Sequence, residues 1–268
     1  MMLVNGQPGD SVSALDRGLA YGDGLFETIR FEGGRAPLWT RHMQRLAVGC
    51  ERLRMPAPDA ALLWREACRA KGELTQCVLR ITVTRGLGER GYAPPAVTET
   101  TRIVAAFPMP QIPDASYTHG VRLHRCQTTL ADQALLAGIK HLNRLEQVLA
   151  RAEWNDPAVA EGLMCDAHGN VISATAANLF AVVDGVLVTP SVARCGVAGV
   201  ARAVMLDAFE HCQVRDVPLA ACLRASELFL SSSIRGILPV QTVGDTVYAP
   251  GPAVRAMQRH WRALMEQA

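Results

Sequence analysis

Lysine is almost missing from this sequence. Of its 27 basic residues, 25 are arginines and only Lys71 and Lys140 are lysines. Charge of one sign does not dominate either: the formal net charge is +2 and the arginines are scattered, so no nucleic-acid partner is expected. The opening "MMLVNGQPGD" turns polar at Asn5 and lacks the apolar stretch of a secretory signal. No apolar run approaches the roughly 20 residues needed to cross a bilayer, so no membrane partner is expected. The eight cysteines (50, 68, 77, 126, 165, 195, 212 and 222) form no C-x-x-C pair and no Cys/His cluster. That argues against a disulfide scaffold and a metal site, and for free thiols in a reducing cytoplasm. With 49% hydrophobic and 19% charged residues over 268 positions, the composition is that of an ordinary soluble chain of one or two domains.

The pattern along the chain mixes β and α signals. "MMLVNG" and "SVSAL" read as a hairpin turning at Gly6, Pro8 and Gly9, and "LFETIRFEGGRAPL" as a second turning at Gly33-Gly34. Trp39, Met43, Leu46, Cys50 and Leu53 recur at helical spacing, with His42 and Arg45 on the flank of that stripe. "DAALLWREACRAKG" predicts a helix with Asp59 as N-cap and Gly72 as its stop. "CVLRITVTR", "TRIVAAFPMP" and "GVRLHRCQ" read as strands, and a helix is expected over about 142–154. "GLMCDAHGNVIS" and "LFAVVDGVLVTP" read as hairpins turning at His168-Gly169-Asn170 and Asp184-Gly185. A helix led by glycines follows at "GVAGVARAVMLDAFEHC". "ELFLSSS" and "ILPVQTVGDTVY" are strands, and "PAVRAMQRHWRALMEQ" is a terminal helix. The fold class is α+β in two domains. The proline-bearing "MPQIPDAS" (109–116) marks the connection. An α/β domain over 1–110 and a connection over 111–118 precede a larger domain over 119–268 that carries Lys140.

"GLGERG" (86–91) matches a dinucleotide fingerprint, yet "YAPPAVTET" follows it and cannot begin the helix that would hold a pyrophosphate. No acidic residue stands about 20 positions further on to hold a ribose. A loop over a site is the reading that remains. Lys71 ends a polar helix and fits a solvated charge. Lys140 is flanked by Leu135, Leu136, Ala137, Ile139 and Leu142, where desolvation favours the neutral amine. A neutral amine is a nucleophile and a base, which a guanidinium cannot be, so a Schiff-base lysine stands beside the surface-charge reading. A phosphate-bearing carbonyl cofactor would need a cup. Arg45 and the glycine-led helix at "GVAGVARA" (196–203) could build one, or could be a surface arginine and a simple turn.

Taken together, "ALDRGLAYGDGLFETIR", "HMQRL", "RGLGERGY", "GIKHLNRLEQVLAR", "AANLF" and "AGVARA" resemble the fold-type IV pyridoxal-phosphate enzymes over residues 3 to 240. That group includes branched-chain and D-amino-acid aminotransferases and 4-amino-4-deoxychorismate lyase, and "IKHLNRLEQVLAR" is most similar to the lyase. The resemblance implies the two-domain D-amino-acid aminotransferase-like architecture and pyridoxal 5'-phosphate as cofactor. It implies Lys140 as the catalytic, cofactor-bearing lysine. Arg45, the N–H groups of Val200 and Ala201, and the Ser233 hydroxyl would hold the phosphate, and Asn178 would lie beside the cofactor strand. Phe26, Thr28 and Arg30 share one strand face. By resemblance that face, bordered by Tyr92, lines the substrate pocket, with Arg30 as candidate partner for a substrate carboxylate. Ser173 stands where the group usually places a glutamate against the pyridine nitrogen. A hydroxyl there brings no charge, which suits elimination over transamination or marks an altered enzyme. The implied reaction takes 4-amino-4-deoxychorismate to 4-aminobenzoate and pyruvate, a step of folate biosynthesis, in a cytoplasmic homodimer. An aminotransferase of the same fold and a non-catalytic cofactor-binding protein are the alternatives, and a dehydrogenase is remote.

Overall fold

A computed structural model describes residues 1–267. The chain forms two compact units. One contains residues 1–110 with 139–143, and the other contains 111–138 and the chain from 144 onward.

In the first unit, β1 (Met2–Val4) turns through Asn5 and Gly6, at φ 49° and 77°, into β2 (Gln7–Pro8). The expected strand at "SVSAL" does not form. Ser13 Oγ accepts the Leu15 N–H at 3.1 Å, and the chain coils into α1 (Arg17–Tyr21), which is capped by the Asp16 carboxylate. Then come β3 (Gly24–Glu32), α2 (Trp39–Arg52), α3 (Ala60–Lys71), β4 (Gln76–Thr84) and β5 (Thr101–Phe107). The sheet runs β2-β1-β5-β4-β3, antiparallel throughout. After Gly33-Gly34 the chain returns only as an isolated bridge, Glu32 to Arg35. Pro37 has no N–H for a returning strand and Trp39 opens a helix, so β3 pairs instead with β4 from Gly24↔Thr84 to Glu32↔Gln76.

Alternation along β3 puts Leu25, Ile29 and Phe31 on one face, each at most 2% exposed. Leu79, Ile81, Val83 and Val104 continue that face, with α2 against β3 and α3 against β4 and β5. Gly49 lets α2 approach closely, because a Cβ there would stand 2.8 Å from Leu25. Asp59 and Gly72 bound α3 as expected, the Asp59 carboxylate accepting the Ala61 N–H at 2.9 Å.

The second unit begins with α4 (Asp114–Thr118), so part of the expected connection is helical and Tyr117 donates its hydroxyl to the Arg235 carbonyl. There follow β6 (Val121–Arg125), α5 (Leu145–Arg151), β7 (Val159–Cys165), β8 (Asn170–Ala174), β9 (Asn178–Val183) and β10 (Val186–Pro190). Next are α6 (Val200–Ala208), β11 (Gln213–Arg215), β12 (Val217–Pro218) and α7 (Leu219–Leu223). The chain ends in β13 (Glu227–Ser232), β14 (Gly236–Val243), β15 (Thr246–Val247) and α8 (Pro252–Gln267). Pairing runs β9-β13-β14-β6-β7-β8 and returns to β9 through Ser173↔Asn178, closing a ring of strands. Leu123, Leu163, Leu179, Leu228, Leu230 and Leu238 fill its core. Asp184 (φ 52°) and Gly185 (φ 77°) make the left-handed turn predicted between β9 and β10.

The helix expected over 142–154 shrinks to α5. Residues 139–143 are not helical and belong to the first unit, where the Phe26 N–H donates to the Lys140 carbonyl and the Leu142 N–H to that of Gly24. Lys140 therefore groups with the smaller unit, not with the C-terminal domain assigned to it from the sequence.

Candidate functional site

The segment 139–143 runs antiparallel along the edge of β3, bridging at Leu25 and His141. Lys140 thus shares the face of Phe26, Thr28 and Arg30, and its Nζ lies 4.2 Å from the Phe26 ring centroid. The apolar surroundings read from its neighbours hold only in part. Ile139 is buried at 2% exposure, while Leu135 is 77% exposed. A second cation meets the same ring: Arg80 of β4, opposite Thr28, has its guanidinium carbon 4.6 Å from the Phe26 centroid. Arg80 forms no ion pair among the described residues. Arg30, the expected carboxylate partner, instead donates through Nε and Nη2 to Glu32 at 2.8 and 2.6 Å. Arg80 was missed. Strand alternation across the pair β3 and β4 is the signal that could have found it.

The opposite face of β3 holds a second surprise. Glu27 is 1% exposed among Leu25, Ile29 and Phe31. Arg45 of α2 donates to it twice, Nε to Oε1 at 2.9 Å and Nη2 to Oε2 at 2.5 Å. His42, expected on the flank of α2, is itself 1% exposed, and its Nδ1 lies 2.6 Å from Glu27 Oε2. Burial pushes the Glu27 carboxyl up, but the Arg45 charge and the hydrogen bonds from His42 and Arg45 outweigh it and hold the pKa at about 2. Burial lowers the His42 pKa, with help from the Arg45 and Lys140 charges, against the pull of Glu27. The imidazole is then neutral, its Nδ1–H on Glu27, and its Nε2 is fully buried without a hydrogen-bond partner among the described residues.

The glycines of "GLGERG" are structural. Gly86 sits at φ 81° with the Glu99 carbonyl where a Cβ would stand, and Gly88 packs on Arg17. Arg17 donates to the carbonyls of Gly91, Tyr92 and Ala93 and to Asp23, and Tyr21 Oη accepts the Gly91 N–H. Tyr92 itself is 87% exposed, its ring 5.5 Å from that of Tyr21.

In the second unit the register places Ser173, Asn178 and Ser231 side by side on β8, β9 and β13. Asn178 locks the loop before α6: its Nδ2 donates to the Val197 carbonyl at 2.9 Å and its Oδ1 accepts the Gly199 N–H at 3.0 Å. Gly138 extends the clasp, exchanging hydrogen bonds with Gly196 and Ala198. Because Gly199 carries no side chain, no side chain caps α6, whose first N–H groups belong to Val200 and Ala201. Ser231 Oγ is buried without a partner among the described residues. Ser233 lies in the turn after β13, where Ser232 Oγ accepts the Arg235 N–H and Arg235 reaches the buried Glu161.

A family model described as amino-transferase class IV matches residues 24–243. The chain is 36% identical over 249 residues to the aminodeoxychorismate lyase of Vibrio harveyi, covering 91% of both chains. It is 32% identical to a putative branched-chain-amino-acid aminotransferase of Methanocaldococcus jannaschii, covering 88% of this chain and 84% of that one. Among solved structures, the 4-amino-4-deoxychorismate lyase of Pseudomonas aeruginosa superposes with a TM-score of 0.93 at 47% identity, over 98% of each chain.

Proposed function

The chain belongs to the class IV aminotransferases, a pyridoxal-phosphate family, and we propose that it serves there as the lyase that converts 4-amino-4-deoxychorismate to 4-aminobenzoate and pyruvate in folate biosynthesis. The full-length likeness to two such lyases supports this reading. The observation that carries it is the pairing of Lys140 with Arg80 around Phe26, an amine and a carboxylate receptor on one sheet face. The donor groups suit the cofactor. An uncapped helix start and the buried Ser231 Oγ, without a partner among the described residues, are features that a phosphorylated polar ligand would satisfy.

Lys140 and Arg45 in the first unit, and Ser173, Asn178, Val200, Ala201 and Ser233 in the second, take the cofactor roles that the resemblance implies. When bound, pyridoxal phosphate supplies an electron sink for charge released at the carbon bearing the substrate amine. Lys140 Nζ, as a neutral amine, takes the proton from that ring carbon. The enolpyruvyl group leaves from the neighbouring carbon as the enolate of pyruvate, the ring becomes aromatic, and the enolate carbon takes up a proton from the Lys140 ammonium or from water to become pyruvate. Arg80 receives a substrate carboxylate, with Thr28 and Phe26 lining the pocket and Tyr92 at its border. Arg30, already engaged by Glu32, is the weaker candidate. Ser173 would offer the ring nitrogen a hydroxyl without adding charge, which would favour prompt expulsion of a leaving group.

We further infer a cytoplasmic homodimer. Eight free cysteines fit a reducing compartment. Leu145, Val148 and Leu149 of α5, 75%, 59% and 61% exposed, form an apolar stripe that a second copy would cover.

Purified protein given aminodeoxychorismate should release pyruvate, read by a coupled lactate dehydrogenase assay. Lys140→Ala should abolish both turnover and the cofactor absorbance near ~420 nm. The likeness to the archaeal aminotransferase keeps a second reading open. Glutamate formed from a branched-chain amino acid and 2-oxoglutarate, without pyruvate release from aminodeoxychorismate, would install that reading instead.

A further inference from the structure

We propose that Glu27 is a positioning residue for the cofactor phosphate, fixing the guanidinium of Arg45 through its two-bond fork. The inference rests on the cofactor reading above and concerns a residue with no role in it. Glu27 occupies the Nε–Nη2 edge of Arg45, so the plane and direction of the guanidinium are set before any anion arrives. The His42 Nδ1–H fixes the carboxylate in turn. His42 and Arg45 stand three residues apart on α2, hence on one helix face, and Glu27 meets both from β3. Gly49 lets α2 lie close enough for the three to interlock, and all three are in one unit.

Electrostatics alone would make Glu27 a hindrance. An ionised, buried carboxylate beside Arg45 cancels the charge that would attract a phosphate. Its place there has a purpose toward the phosphate only if orientation outweighs that loss, and the two effects have opposite signs. Charge removal by Glu27→Gln tightens phosphate binding if the pair acts only through its field. It weakens phosphate binding if Glu27 aims the fork.

The full-length apoprotein is titrated by equilibrium dialysis with pyridoxal 5'-phosphate and, separately, with pyridoxal, which lacks the phosphate. Glu27→Gln is expected to weaken the phosphorylated ligand by about tenfold or more, with pyridoxal changed by less than about twofold. Glu27→Asp keeps the charge but is too short to hold the fork, and should show the same phosphate-selective loss. In the Arg45→Gln background the Glu27→Gln change should have no further effect. Unchanged or tighter binding of the phosphate form overturns the proposal, as does an equal loss for both ligands. If neither Glu27 variant keeps the cooperative thermal unfolding of the parent, the cluster is purely structural and the proposal falls. A parent chain that binds both ligands equally would instead sink the cofactor reading beneath it.

Discussion

At position 140 the choice between lysine and arginine is a choice of acidity, since only the ammonium can give up its proton at workable pH. That is why composition singles out Lys140 as a candidate, in a chain that writes nearly every other cation as arginine. Its neighbours in sequence were a poorer guide. Leu135 faces solvent, and the ring that meets the amine belongs to Phe26, more than a hundred residues away. Arg80 and Glu27 were hidden for a related reason: each acquires meaning only from a cross-strand or helix partner. Glu27 did leave a trace, since period-two alternation sets it on the face of Leu25, Ile29 and Phe31, where a carboxylate must find a cation. The two arginines on the open face can be separated by kinetics. Arg80→Gln should raise KM for aminodeoxychorismate by about ten- to a hundredfold, because the substrate carboxylate loses the guanidinium proposed to receive it. Arg30→Gln, already tied to Glu32, should raise it by no more than about threefold. Steady-state kinetics of both variants, with the cofactor spectrum as control, would reverse the assignment if Arg30→Gln proved the more damaging.

Among the elements, those with local signals came through. Asp59 and Gly72 bound α3, and Asp184-Gly185 turns β9 into β10, because caps and left-handed turns are chosen by adjacent residues. The α5 region misled because Leu142, read as the start of the helix, instead donates its N–H to the Gly24 carbonyl of β3, and tertiary pairing overrides propensity. The start of α6 illustrates how two sequence motifs combine in one device. Asn178 of "AANLF" holds the Gly199 N–H and the Val197 carbonyl, and Gly199 leaves only enough room for that side chain, since a Cβ would stand 2.0 Å from Asn178 Oδ1. Asn178→Ala should cost about 1 kcal/mol by orphaning a part-buried N–H and a part-buried carbonyl. Gly199→Ala should be comparably harmful through the clash, yet the double variant should be no less stable than Asn178→Ala alone, because the clash vanishes with the amide. Urea unfolding of the three variants measures this, and additive losses would show that the two residues do not act as one lock.

For the molecule as a whole, the sequence conveyed the α+β class and the two hairpins of the second unit but neither the first unit's hairpins as drawn nor the closed strand ring. That closure joins β6 to β14, pairing Val121 with Val240, and returns through Ser173 and Asn178. Partners so far apart in sequence carry no local mark, because register across a long connection is set by the collective burial of the leucine-rich core. The same reasoning isolates what burial leaves undone. Leu145, Val148 and Leu149 recur at the spacing of one helix face, but that face of α5 is open although shorter side chains such as Ala150 are fully covered. Single exposed leucines are commonplace, whereas three on one stripe of a seven-residue helix call for a partner surface. A self-complementary contact between two copies is the commonest solution for a chain of this size. Light scattering coupled to size exclusion should therefore give twice the 28.9 kDa chain mass. Val148→Asp with Leu149→Asp should halve it by burying charge in the contact, with little change in the unfolding transition of the separated chain. A monomeric parent, or a dimer indifferent to both aspartates, would mean that α5 is not where the copies meet.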